Sequence, residues 1–159
     1  MNTVSAKQLI QINSIVTGKP SRYDLPKDKM KLLKEIAAAP FEKEKEWDSV
    51  NQKEYETCFY EYRTVIEKAA KLGCDIYQLH PFESGNNKTA VLALLTLLDV
   101  NSFNLEDYFD DLDELVTSLQ NPESGVLDTA SWIKNHMLDN YFYEDIDEDI
   151  DEDTDENDN

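Results

Sequence analysis

Apolar residues recur every three or four positions along most of the chain, which is the spacing of one helix face. The pattern predicts helices over residues 5–16, 27–39, 51–79, 90–100, 105–119 and 126–141, with a charged, less regular stretch at 41–48. Gly73 interrupts the longest of these, so it either divides that helix or marks a close contact between helices. Only four glycines and five prolines occur, and we therefore predict an all-α fold.

Residues 90–100 are apolar on nearly every side, a pattern typical of a helix in the centre of a fold. A polar segment, residues 80–89, leads directly into this predicted central helix. Side chains in that segment would therefore be held in fixed positions.

The charge distribution separates a globular part from an acidic tail. The chain has 34 acidic and 15 basic residues, a net charge of −19. Residues 144–159 hold 11 of the acids and no base, and we predict that they are disordered. Residues 1–143, with 23 acids against 15 bases and a net −8, are predicted to form one domain. This balance disfavours nucleic-acid binding, which needs basic surface.

Other features of the composition point to a cytoplasmic protein. Cys58 and Cys74 are isolated in the sequence and are interpreted as reduced, partly buried thiols without metal-ligand spacing. The sequence begins without a basic and apolar signal, and no apolar run reaches about 18 residues. We expect neither secretion nor membrane insertion.

Residues 80–90, His-Pro-Phe-Glu-Ser-Gly-Asn-Asn-Lys-Thr-Ala, hold the candidate chemistry. A polar loop before a helix can bind anions through the free N–H groups at the helix N-terminus. Gly85 would let a phosphate approach the backbone, and Asn86 could cap the helix or donate to a phosphoryl oxygen. A cation at Lys88 opposes the helix dipole unless a polyphosphate is bound. His80 is placed to accept a proton from a hydroxyl.

Other residues are assigned supporting or structural roles by the sequence. Phe82 is predicted to anchor the segment in the core, and Glu83 is the nearest carboxylate for Mg²⁺. His136, in the last predicted helix, is interpreted as structural rather than catalytic.

The segment and its surroundings resemble the Fic/Doc family, whose signature reads H-x-F-x-[DE]-G-N-[GK]-R. Four residues fall on the signature and two more match a Doc-type continuation: His80, Phe82, Gly85, Asn86, then Thr89 and Ala90. The resemblance extends over roughly residues 3–140. It implies a compact helical bundle with a buried central helix after the motif.

The resemblance also implies a function. Family members transfer part of a nucleoside triphosphate to a hydroxyl of a target protein, most of them attaching AMP. Doc toxins bind the nucleotide inverted, transfer a phosphate to a translation elongation factor, and are paired with a Phd-type antitoxin. Carried over, His80 is the general base, Phe82 fixes the loop, and the phosphate-binding residues are Gly85, Asn86, Asn87 and Lys88.

The sequence departs from the signature at positions that matter for catalysis. Ser84 stands at the metal-binding acid, which leaves Glu83 and Ser84 as the candidate Mg²⁺ ligands. Asn87 replaces the lysine of Doc proteins, and Lys88 replaces the arginine, so the bidentate phosphate contact is lost. Val91 stands at the second arginine of AMP-transferring members, which favours a Doc-like branch.

Three functions remain open from the sequence. The first is a Doc-like transferase that uses ATP or another nucleoside triphosphate with Mg²⁺, acts on a target protein and has a Phd-like antitoxin. The second is a Fic-fold binding or regulatory module with little or no turnover, favoured by Ser84 and Lys88. The third is an acidic interaction protein whose tail binds a basic partner.

Overall fold

The structure, a computed structural model, describes residues 1–105 and 109–137. Within those ranges the chain forms six α-helices and one two-stranded antiparallel sheet. In chain order they are α1 (Ala6–Thr17), α2 (Lys27–Ala38), β1 (Lys43–Asp48), β2 (Lys53–Tyr60), α3 (Val65–Leu79), α4 (Asn86–Asp99), α5 (Leu112–Leu119) and α6 (Gly125–Asn135). The predicted all-α class is confirmed, with the small sheet as an addition. The predicted acidic tail at 144–159 lies outside the described residues.

Helices α3 and α4 pack against each other in the centre of the core, with α1 against α4 and α6 against α3. Gly73 permits this approach, because a Cβ at that position would lie 3.0 Å from Leu94 Cδ1 and 3.2 Å from Leu119 Cδ2. The glycine therefore marks close packing and does not divide α3. The buried apolar side chains of α4 are Ala90, Ala93, Leu94, Leu97 and Leu98.

Both α1 and α3 begin at a capping box that the sequence encodes locally. The Gln8 N–H donates to Ser5 Oγ at 3.3 Å, and the Ser5 N–H donates to Gln8 Oε1 at 2.8 Å. At α3 the Glu67 N–H donates to Thr64 Oγ1 at 3.1 Å, and the Thr64 N–H donates to Glu67 Oε2 at 2.9 Å. Such caps stabilise a helix start by roughly 1 kcal/mol each.

The prediction of a single helix over residues 51–79 is wrong in its first part, because residues 53–60 form β2. This strand pairs with β1 in an antiparallel hairpin, with Trp47 opposite Glu54 and Glu46 opposite Tyr55. Nearly all residues of β2 are exposed, so the apolar spacing that indicated a helix does not mark a buried face. The irregular stretch predicted at 41–48 largely becomes β1.

The base of the hairpin is held to α3 by a buried lysine. Lys68 is 1% exposed, and its ammonium donates to the Tyr62 carbonyl. The same ammonium lies 4.3 Å from the ring centroid of Tyr60 and 5.9 Å from that of Phe41. Burial lowers the Lys68 pKa, with the nearby Glu67 carboxylate acting in the opposite direction. The cation–π contacts compensate part of the desolvation cost.

Several predicted helix boundaries also need correction. α4 begins at Asn86 instead of residue 90, so the motif supplies its first turn. Leu105, predicted to start a helix, instead forms an isolated β-bridge with Met137, and α5 begins only at residue 112 after a 3-10 turn, Phe109–Asp111. α6 ends at residue 135, and positions 138–141 of the predicted last helix lie outside the described residues.

Candidate active site

His80 ends α3 in a left-handed conformation. Its φ is 47° and ψ is 59°, and its N–H donates to the Ile76 carbonyl at 3.2 Å. This conformation costs a non-glycine residue about 1 kcal/mol, and such outliers cluster at functional sites. The imidazole is exposed and meets the Tyr77 ring edge-on, with centroids 6.3 Å apart. The side chain is therefore accessible at the start of residues 80–88, the motif loop.

Asn86 closes the motif loop onto its own backbone. The Phe82 N–H donates to Asn86 Oδ1 at 2.9 Å, and Asn86 Nδ2 donates to the Phe82 carbonyl at 2.8 Å. Asn86 is 8% exposed, and Phe82 packs half-buried against the core. The side chain of Asn86 thus organises the loop, which leaves its backbone N–H as the group available to a phosphate.

Gly85 is the N-cap of α4 and rests against α1. Its φ is +73°, and a Cβ there would lie 2.8 Å from Thr17 Cγ2 and 3.1 Å from Val16 Cγ1. A side chain at this position would be strained by the backbone and would collide with α1. The glycine is required both for the turn and for the close approach of the two elements.

Asn13 of α1 holds the other side of the loop, a role that no motif in the sequence indicates. Its Nδ2 donates to the Ser84 carbonyl at 2.9 Å and to Thr89 Oγ1 at 3.1 Å. Thr89 is fully buried. The available signal was a polar residue directly after the apolar Ile12 on a helix that packs against α4.

The first turn of α4 presents unpaired backbone donors. The first helical bond runs from the Thr89 N–H to the Gly85 carbonyl at 2.9 Å. In the described part of the chain, the N–H groups of Asn86, Asn87 and Lys88 make no hydrogen bond. We call these three groups the amide cradle. The exposed ammonium of Lys88 adds positive charge to the helix dipole there.

A family model for the Fic/DOC family matches residues 3–98. The chain belongs to the Fic/Doc family. No curated protein gives a significant match, and no solved structure does either. The match covers α1 to α4, including the hairpin and the motif loop, whereas the resemblance expected over residues 99–140 has no counterpart in it.

The motif loop of this chain offers few ligands for a metal ion. Glu83 and Ser84 are exposed, and Glu83 is the only carboxylate between residues 80 and 90. Magnesium typically uses one or two carboxylates plus phosphate oxygens, so Glu83 with a bound nucleotide meets the minimum. Among the described residues there is no group of three or more metal-ligating side chains.

The second histidine has a structural environment, away from the motif loop. The His136 ring stacks on Trp132 at 4.0 Å, and Nε2 lies 2.9 Å from Asp111 Oδ2. Burial lowers the His136 pKa, but the hydrogen bonds to Asp111 and to the Trp132 carbonyl raise it above its usual value overall. His136 therefore links α6 to the 3-10 turn before α5.

None of the helices described is long and apolar enough to cross a membrane.

Proposed function

We propose that this Fic/Doc protein is a Doc-like transferase, which moves a phosphate or nucleotide from a nucleoside triphosphate to a Ser, Thr or Tyr hydroxyl of a target protein. Family membership suggests a protein-modifying transferase, and the finer assignment rests on the motif loop. The biological role that follows is a cytoplasmic, growth-inhibiting toxin with a Phd-like antitoxin.

The observation that carries the proposal is the amide cradle at the end of a short loop that begins with an accessible imidazole, His80. Three free N–H groups converge at the start of α4, and the loop that connects them to His80 is closed by the Phe82–Asn86 bonds. Phosphoryl transfer depends mainly on positioning and on charge stabilisation, which fixed amides supply without reorganisation.

The proposed reaction has a simple balance of bonds and protons. His80 takes the proton of the target hydroxyl as its oxygen bonds to phosphorus, and the bond from phosphorus to the leaving oxygen breaks. Attack at the γ-phosphate releases a nucleoside diphosphate, whereas attack at the α-phosphate releases pyrophosphate. The amide cradle and Lys88 bind the charged phosphoryl oxygens. Mg²⁺, held by Glu83, would supply further charge neutralisation when bound.

Val91 favours transfer of the γ-phosphate over AMP transfer. It stands where AMP-transferring relatives have a second arginine, and in this chain it is a half-buried apolar residue of α4. Without that cation, a nucleoside triphosphate is held less firmly in the orientation that brings its α-phosphate next to His80, the general base.

A second candidate, a nucleotide-binding module without turnover, is favoured by Ser84 and Lys88. A hydroxyl is a weak Mg²⁺ ligand, and a lysine contacts phosphate as a point charge without the planar fork of arginine. The phosphate-binding backbone is independent of both side chains, so binding can persist where catalysis is weak.

The two candidates are separated by a labelling experiment. The full chain is incubated with Mg²⁺, bacterial lysate and ATP labelled at either the α- or the γ-phosphate. We expect transfer of the γ label to a protein, reduced about 100-fold or more in His80→Asn. Asparagine tolerates the left-handed backbone, so this variant removes the base and keeps the loop.

The control variant is Lys34→Ala, an exposed position of α2 that should leave transfer unchanged. Transfer of the α label would contradict the Doc-like assignment. Absence of any transfer, with ATP still raising the melting temperature of both wild type and His80→Asn, would favour the binding module.

A further inference from the structure

The charges of this chain form three blocks along the sequence. Residues 1–34 hold seven basic and two acidic residues, a net +5. Residues 35–137 hold eight basic and 20 acidic residues, a net −12, and residues 138–159 hold 12 acids and no base, also a net −12. The acidic tail, residues 144–159, is therefore repelled by the second block and attracted by the first.

The cations of the first block are exposed around the connection between α1 and α2. Five of them lie within residues 19–31, and we call them the basic segment: Lys19, Arg22, Lys27, Lys29 and Lys31. Three members, Lys19, Arg22 and Lys29, line one cleft next to residues 81–84 and so lie close together. The other two, Lys27 and Lys31, are four residues apart on α2 and share a face of that helix.

The basic segment has little negative charge of its own to neutralise it. Within residues 1–105 and 109–137, its one carboxylate at ion-pair distance is Glu35, whose Oε1 lies 3.8 Å from Lys31 Nζ. These two side chains are 61% and 77% exposed, so water screens the pair. Four of the five cations are thus unpaired in that part of the chain, and they offer an anionic partner a positive surface.

The acidic tail is long enough to reach this surface. The 22 residues from 138 to 159 can span up to about 70 Å, whereas a domain of this size is roughly 40 Å across. Because tail and basic segment belong to one chain, their effective concentration is on the order of millimolar. A charge contact too weak to join two separate molecules is therefore populated within one.

We propose that the acidic tail binds the basic segment of the same chain. The carboxylates of residues 144–159 contact Lys27, Lys31 and the cations between α1 and α2, so the basic partner of the tail is the chain's own surface. Lys27 and Lys31 do not line the cleft beside the motif loop. The proposal therefore does not depend on the proposed transferase activity.

The test measures which backbone amides the tail approaches in the full chain. A nitroxide is attached to Asn157→Cys in a Cys58→Ser background, in which the remaining thiol, Cys74, is buried. At about 0.1 M salt, where charges interact over roughly 10 Å, paramagnetic broadening at residues 27–31 should exceed that in β2 about fivefold or more. At about 1 M salt, where this distance falls to roughly 3 Å, the excess should disappear.

Matched variants of the labelled chain identify the surface. The double variant Lys27→Glu, Lys31→Glu should reduce the broadening at residues 27–31 about fivefold or more, because it reverses two charges of the basic segment. Lys45→Glu with Lys53→Glu, the same change of charge at exposed hairpin positions, should alter it less than about twofold. Replacing the 11 acids of residues 144–159 by their amides should remove the excess and leave the melting temperature unchanged.

Three results would overturn the proposal. The first is equal broadening at residues 27–31 in the wild type and in the Lys27→Glu, Lys31→Glu variant. The second is broadening no greater at residues 27–31 than in β2, which would leave the basic segment to a separate partner. The third is broadening that falls in proportion when the protein is diluted about tenfold, which would mean that a second copy of the chain supplies the tail.

Discussion

The motif loop and the β1–β2 hairpin flank the same helix, and they are stabilised in opposite ways. The motif loop is attached to α1 through Asn13, to α4 through Asn86 and to the core through Phe82. The hairpin packs mainly on itself, and its aromatic side chains Trp47 and Phe59 are 65% and 58% exposed. Among the described residues, the hairpin is anchored at its base, by Lys68 near the first turn of α3.

The two regions therefore differ in how firmly they fix their side chains. The motif loop holds polar groups in fixed places, which catalysis by electrostatics requires. A two-stranded hairpin is marginally stable alone, so its conformation depends on the anchor and on whatever covers its faces. About 22 Å of α3, from residue 65 to residue 79, separates the two ends, so substitutions at one should not affect the other.

The largest expected contrast is in the reactivity of the two cysteines, one in the exposed hairpin and one in α3, the buried helix that connects the hairpin to the motif loop. Cys58 of β2 is exposed, while Cys74 of α3 is buried and burial raises its pKa to about 11. Cys74 should react only when the core opens, at a free-energy cost of several kcal/mol, so a thiol reagent at pH 8 should modify Cys58 at least ~1,000-fold faster.

Mass spectrometry of the native chain measures the two rates directly. In the Cys58→Ser variant, no thiol should be modified in the fast phase of the reaction. In denaturant, the two thiols of the wild-type chain should be modified at similar rates. Comparable rates in the native state would contradict the description of an exposed hairpin joined to a buried core helix.

Gly85→Ala tests the contact between the motif loop and α1. A positive φ costs alanine about 1–2 kcal/mol and the collision with Thr17 adds to it, so we expect a loss of roughly 2–4 kcal/mol in the free energy of unfolding. Gly18→Ala is the matched control, since its φ is +67° but no atom lies within 4 Å of the added Cβ. Chemical denaturation should show about 1 kcal/mol for the control. Equal losses in the two variants would mean that the contact is unimportant.

Asn86→Ala tests whether the loop is closed by its own side chain. The substitution leaves the Phe82 N–H and carbonyl without their partners, and we expect a loss of about 2 kcal/mol. Asn87→Ala, one residue later and exposed, should change stability by less than about 0.5 kcal/mol. A denaturation midpoint for Asn86→Ala as high as that of Asn87→Ala would show that the clamp contributes nothing.

The helices on either side of the motif loop could be predicted from the sequence, whereas the hairpin could not, and burial explains why. Residues such as Leu72, Ile76 and Leu94 face one core, so their spacing reports the helix that carries them. In β2 neither face is buried, and Tyr55 and Phe59 matched helical spacing by chance. The candidate site residues could be proposed from the sequence because they are contiguous, whereas Asn13 lies 71 residues from Ser84 and no local pattern connects them.

The smallest expected effect is the change in stability caused by a substitution in the hairpin. Trp47→Ala should change the free energy of unfolding by less than about 0.5 kcal/mol, because the side chain is 65% exposed. A buried residue of the core, Leu94, provides the reference, since Leu94→Ala should cost about 2–5 kcal/mol. A loss above about 1.5 kcal/mol for Trp47→Ala would mean that the indole packs against part of the protein.

The central claim is that the amide cradle of α4 binds the phosphates of a nucleotide beside His80. The most direct measurement is residue-resolved hydrogen exchange of the full chain with and without ATP and Mg²⁺. We predict that exchange at Asn86, Asn87 and Lys88 slows about 10-fold or more, while exchange in β2 stays unchanged. Unaltered exchange at these three amides at saturating ATP would contradict the claim.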